Sequence, residues 1–172
     1  MPALAFPLLA VPENVLYLGT LSRIRDRLGV ASFNYNCIGR GSSRTVFDLG
    51  DMVLKVPHNG SGLVQNKLEA NPQFKTYYTT LLAEVLAADS KGRWLLQRKV
   101  CTVTDREFTD FMEQSAGERF RKQVSTFARV YGLQRSDLTY FENVGRSGDK
   151  LLICDFGLID RYKDWNFWKA VA

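Results

Sequence analysis

The sequence predicts an α+β fold in which a small sheet comes first and helices follow. Three observations lead to that reading. Short strand-forming runs separated by turn signals fill residues 33–100, and two amphipathic helical patterns occupy 104–131. A final apolar run, Leu151-Leu152-Ile153-Cys154, stands after the helices and ends at Asp155-Phe156-Gly157. Strands gathered in one part and helices in another leave the cleft between them as the natural ligand site.

The elements follow in order. Val15, Leu18, Leu21, Ile24 and Leu28 recur at helical steps, so a helix is expected over 13–28, stopped by Gly29. Strands are expected over 33–38, 45–49 and 52–56, the last two joined by a hairpin turn at Gly50-Asp51. Ser61 is the expected cap of a short helix that ends before Asn71-Pro72. Two more strands are expected over 80–87 and 94–100, joined by Asp89-Ser90-Lys91-Gly92. Thr104-Asp105-Arg106-Glu107 has the pattern of a capping box, with Phe108, Phe111 and Met112 as the apolar stripe behind it. A second helix is expected over 116–131, with Phe120, Val124, Phe127, Ala128 and Tyr131 on one face. The segment 136–145 reads as a polar loop, and an aromatic tail (Tyr162, Trp165, Phe167, Trp168) closes the chain.

Composition sets outer bounds. With 172 residues, 45% hydrophobic and 12% aromatic, the chain can build one packed domain, or a lobe fused to a smaller one. No stretch is long and apolar enough for a membrane span, and the apolar start has no basic lead and contains Pro2, Pro7 and Pro12, a poor fit to a secretion signal. Three widely spaced cysteines form neither a disulfide framework nor a zinc site, so a cytoplasmic setting is expected. The net charge of +5 suits an anionic partner, but the cluster at Arg119, Arg121 and Lys122 reads as well as a solvated helix face, so nucleic acid is not the expected partner.

Five short signals carry the chemistry. Gly39 and Gly41, followed by Val46, let a hairpin lie close over phosphates and turn backbone N–H groups toward them. Lys55 stands among Val53, Leu54 and Val56, where a buried ammonium needs an anion. Glu69, on the next helix, is a candidate partner; a surface glutamate is the plain alternative. Asp137 and Asn143 flank a segment able to orient a hydroxyl and a metal, or simply to form Asx turns. Asp155, just past a buried strand with Gly157 behind it, is placed to hold a metal ion against phosphates.

In this order the chain resembles the protein kinase fold over roughly residues 35–159. The resemblance implies a minimal kinase-like fold: an antiparallel N-lobe sheet over 33–101 and a truncated, mainly helical C-lobe over 102–172, preceded by a helical extension over 1–32. It implies ATP and Mg2+ as cofactors. Gly39, Gly41 and Val46 would cover the nucleotide, Lys55 paired with Glu69 would hold its phosphates, and backbone groups around Gln97 to Lys99 would meet adenine. Asn143 and Asp155 would hold the metal, with Asp137 the catalytic base. The expected activity is transfer of the γ-phosphate to Ser/Thr of a host protein; the alternative is an inactive pseudokinase-like module that binds and inhibits a host protein, with the aromatic tail as docking patch or lobe cover.

Departures are visible too. Arg44 stands where a third glycine belongs, Arg135-Ser136-Asp137 replaces the usual His-Arg-Asp, and Asp137 and Asn143 are six positions apart rather than five. Only 15 residues follow Gly157, so the substrate platform is expected to be missing or supplied by a partner, a second copy included. So compact a pattern is similar to small kinase-like proteins encoded by bacteriophages.

Overall fold

The computed structural model describes residues 36–157. The helix expected over 13–28, the opening of the first strand and the aromatic tail lie outside the described residues. Five strands form one antiparallel sheet: β1 (Asn36–Arg40), β2 (Arg44–Asp48), β3 (Met52–Pro57), β4 (Val85–Ala88) and β5 (Leu95–Arg98), in the order β1-β2-β3-β5-β4. Val46 stands opposite Lys55, and Lys55 opposite Leu95. Directly paired residues share a face of a sheet, as do residues two apart, so Arg44, Val46 and Lys55 all project to the same side.

Helix α1 (Gly60–Glu69) packs against that sheet. Its cap is Asn59 rather than the expected Ser61: the Asn59 side chain accepts from the Gly62 amide at 3.0 Å, and its extended backbone starts the helix two residues early. Gly62, Asn66 and Glu69 recur at four- and three-residue steps and are all buried. A Cβ at Gly62 would collide with the Ser43 carbonyl and stand 2.7 Å from the Pro57 side chain, so this glycine permits the close approach of α1 to β2 and β3.

The strand expected over 80–87 is shorter, beginning only at Val85. Before it, a 3-10 helix (Pro72–Tyr77) runs into a turn in which Thr79 has φ +63° and the Leu81 amide donates to the Tyr77 carbonyl at 2.9 Å. Leu81, Leu82 and Ala83 are apolar because they are core, each about 1% exposed, and not because they alternate on a sheet.

The second layer holds α2 (Asp105–Met112), α3 (Ser115–Tyr131), the one-turn α4 (Arg135–Leu138) and a three-stranded antiparallel sheet of β6 (Cys101–Thr102), β7 (Val144–Ser147) and β8 (Lys150–Ile153). The capping box at Thr104 forms, with Glu107 accepting from the Thr104 amide at 2.8 Å and the Thr104 hydroxyl accepting from the Glu107 amide at 3.2 Å. Strand β7 replaces part of the expected loop. Val144 alone is strongly apolar there; the segment becomes a strand because Gly148, at φ +61°, turns the chain back and lets Ser147 pair with Lys150. Arg121 donates to the Met112 carbonyl at 2.6 Å and Lys122 pairs with Glu118 at 2.9 Å, so two members of the basic cluster act within the helical layer.

The main apolar cluster runs from Leu68 at the end of α1 through Phe74, Leu81 and Leu82 into the helical layer. Phe74 meets Phe127 at 5.2 Å and Tyr131 at 4.8 Å in edge-on contacts, and Phe156 joins them at 5.8 Å from Phe74. Each such buried ring contributes about 1.5–3 kcal/mol of transfer free energy. Two backbone bonds, Ala83 to Ile153 at 2.9 Å and Ile153 to Leu81 at 2.8 Å, tie β8 to the turn before β4. Asp155 is thereby held at a defined place beside β3 and α1.

Candidate functional site

Lys55 and Glu69 meet in the interior. The Lys55 ammonium donates to Glu69 Oε2 at 2.8 Å, with side-chain exposures of 3% and 0%. It also donates to the carbonyl of Cys154, the residue just before Asp155. Burying two charges is costly unless each is paired and hydrogen-bonded, and this pair is both.

Arg44 is the functional candidate that sequence reasoning missed. Its Nη2 donates to Glu69 Oε1 at 2.7 Å and also to Asp155 Oδ1, while Nη1 donates to Asn66 Oδ1 at 3.1 Å. Asn66 in turn donates to the Gly92 carbonyl at 2.9 Å. Two cations and two carboxylates thus form one network, closed by the Phe156 amide donating to Glu69 Oε1 at 3.3 Å. Burial by itself lowers the Arg44 pKa, but the charges of Glu69 and Asp155 outweigh it and hold the guanidinium above its ordinary value. The sequence signal was the parity of Arg44 with Val46 on β2, which becomes informative only once the register with β3 is known.

Asp137, Asn143 and the Asp155-Phe156-Gly157 turn also come together. Asn143 Nδ2 donates to Asp137 Oδ1 at 3.0 Å and to the Asp137 carbonyl at 2.9 Å, and the Gly157 amide donates to Asp137 Oδ2 at 3.2 Å. The Cys154 amide donates to the Asn143 carbonyl at 2.8 Å, which sets Asn143 beside the end of β8. The extra residue between Asp137 and Asn143 is taken up by α4 and a 3-10 turn at Phe141–Asn143.

The glycine turn is tied down. The Gly41 amide donates to the Arg44 carbonyl at 2.9 Å, closing the hairpin. Asn59 Nδ2 donates to the Ser42 carbonyl at 2.9 Å, and the Ser43 hydroxyl bonds Gln65. The Gly41 amide thus serves the turn. At Gln97 to Lys99, where adenine contacts are expected, two backbone amides are already bonded. The Arg98 amide donates to the Glu84 carbonyl at 2.8 Å and the Lys99 amide to the Asp51 carbonyl at 2.9 Å. The Lys99 ammonium pairs with Asp48 at 2.7 Å. Gln97 is 1% exposed, and its Oε1 has no hydrogen-bond partner among the described residues.

Burial pushes the Cys154 thiol up to about 11; Lys55 opposes that shift, while Asp155 and Glu69 add to it. Tyr78, 3.5 Å from the Glu69 carbonyl, is likewise pushed up to about 12, first by burial and then by Glu69 and Glu84.

Of the two residues expected to hold Mg2+, Asp155 already accepts from the Arg44 guanidinium through Oδ1, and Asn143 donates to Asp137 through Nδ2; no group of three His, Cys, Asp or Glu side chains able to hold a metal occurs among the described residues. Also among the described residues, no helix is long and apolar enough to cross a membrane.

No protein-family model matches the sequence, and no curated protein matches it. Solved structures do. A complex of Rv3197 with erythromycin, from Mycobacterium tuberculosis, is similar over 82% of this chain and 51% of its own, at 14% identity and a TM-score of 0.50. Wild-type aminoglycoside 2'-phosphotransferase-IIIa with GDP is similar over 76% of this chain and 46% of its own, at 17% identity and a TM-score of 0.45. The PknI kinase domain of Mycobacterium tuberculosis, as a mutant, is similar over 72% and 58%, at 19% identity and a TM-score of 0.41. The chain spans about half the length of these solved chains. At 14% identity the likeness to the Rv3197 complex is one of fold alone. The fold is a minimal protein kinase-like one, with an antiparallel sheet followed by a small, mainly helical part.

Proposed function

We propose that this chain is an ATP-binding kinase-like protein, with the nucleotide held between a sheet lobe over 33–101 and a helical lobe from 102 onward. The observation that carries the reading is the network that joins Lys55 to Asp155: the Lys55 ammonium is paired with Glu69 at 2.8 Å and bonded to the carbonyl adjacent to Asp155. A cation fixed this way, three donors on a buried stem, suits a polyphosphate. Calorimetry of the full chain with ATP tests it. Lys55→Met should weaken binding by about tenfold or more with the fold retained by circular dichroism, and equal affinity in both forms would reject the site.

A second reading is phosphoryl transfer to a Ser/Thr hydroxyl of a host protein. It is favoured by the approach of Asp137 to the Asp155-Phe156-Gly157 turn, through Gly157 at 3.2 Å. The acceptor oxygen would bond the γ-phosphorus as its proton passes to the Asp137 carboxylate, and the β–γ bridging oxygen would leave with ADP. Radiolabel transfer to host lysate separates this from an inactive host-binding module. Asp137→Asn should abolish transfer and spare ATP affinity; binding with no transfer by the natural chain favours the module.

A further inference from the structure

We infer that Arg44 is a resident counter-ion for Asp155, taking the charge-neutralising part a divalent cation would otherwise play, so that the site accepts a nucleoside polyphosphate without divalent ion. This rests on the nucleotide reading above and deepens it.

The pairing is not an ordinary surface ion pair. The Asp155 side chain is 41% exposed, whereas the Arg44 side chain reaching it is 3% exposed. Arg44 is also fixed from behind, by Glu69 Oε1 at 2.7 Å and Asn66 Oδ1 at 3.1 Å. Swinging it away would leave Asn66 short of a donor and Glu69 with a single cation, in a region where unpaired polar groups are costly. The guanidinium is planar and many-toothed, so it can serve three acceptors at once, which an ammonium in this place could not do with the same geometry.

Charge balance points the same way. Arg44 and Lys55 offset Glu69 and Asp155, so the network is neutral as it stands. A divalent ion at Asp155 would sit against a buried guanidinium that cannot lose its proton, and like charges at contact repel strongly where water is scarce. An arriving phosphate meets the opposite situation. The exposed carboxylate that would repel it is already neutralised, and the Lys55 ammonium stands one residue away.

The test is ATP binding by the full chain, measured calorimetrically in excess Mg2+ and again in EDTA, for the natural protein and Arg44→Gln. The natural protein should bind within about threefold in the two conditions, while Arg44→Gln should lose about tenfold or more in EDTA and regain it with Mg2+. A natural protein that binds ATP only with Mg2+, or an Arg44→Gln form that binds as well as the natural one in EDTA, overturns the inference. If no ATP binds in any condition, the nucleotide reading itself fails. Mn2+ without nucleotide then decides the part played by Arg44, and also does so if Arg44→Gln does not fold. By electron paramagnetic resonance, natural protein and Asp155→Asn should take up Mn2+ equally; a Mn2+ site lost in Asp155→Asn would mean that Asp155 takes metal in spite of Arg44.

Discussion

Glu69 and Arg44 lie 25 residues apart in the chain and meet at 2.7 Å in its interior, with Lys55 on the other carboxylate oxygen at 2.8 Å. One helical residue thereby anchors the first half of the sheet to the turn that carries Asp155. Its removal tests the whole arrangement.

Glu69→Ala should destabilise the chain by about 3–5 kcal/mol, because two buried cations lose their shared partner at once. Glu69→Gln should cost less, since the amide oxygen can still accept. Urea denaturation followed by fluorescence measures both. A loss below about 1 kcal/mol for the alanine form would show that the network relaxes into water.

Phe156 is 2% exposed and meets Phe74 at 5.8 Å and Phe127 at 6.1 Å. Phe156→Ala should cost about 3–5 kcal/mol by leaving a cavity among aromatic rings. Phe156→Leu should cost about half as much or less, because leucine fills most of that volume. Thermal midpoints of the two variants provide the comparison.

The cysteines should separate by reactivity. Cys37 and Cys101 are exposed, while the partly buried Cys154 thiol is pushed up to about 11 and stays protonated at neutral pH. Alkylation at pH 8, read by mass spectrometry, should label Cys37 and Cys101 rapidly and Cys154 only after denaturant is added. Fast labelling of Cys154 in the native chain would contradict its placement.

Asp89 supplies a pH signature. Hydrogen bonds from Arg93, at 2.7 and 2.9 Å, hold its carboxyl down to about 2. A depressed folded value means that the contribution is complete above the unfolded value of about 3.9 and fades as pH falls through the folded one. Stability should therefore decline between about pH 4 and 2, and Arg93→Ala should move the Asp89 titration, followed by carbon NMR, up toward the ordinary range.

Much of this architecture was legible beforehand because it depends on local pattern. The short apolar run Met52–Pro57, the stripe of Phe120, Val124 and Phe127, and the Thr104 capping box each act within a few residues. Strand β7 was not, since Gly145, Arg146 and Ser147 carry no strand preference and pair only because β6 and β8 flank them. The Gly148-Asp149 turn was the available signal.

Sequence alone picked out the charged and polar candidates and their order: Lys55, Glu69, Asp137, Asn143 and Asp155 were all identifiable by type, spacing and neighbours. Tertiary structure decided which of them meet, and added Arg44. A strand's pattern says which residues share its face, but which face turns inward, and what waits there, depends on register with chains far away in sequence. Arg44 could have pointed to solvent on an edge strand; α1, closing down over Gly62, made it the buried partner of Glu69 and Asp155 instead.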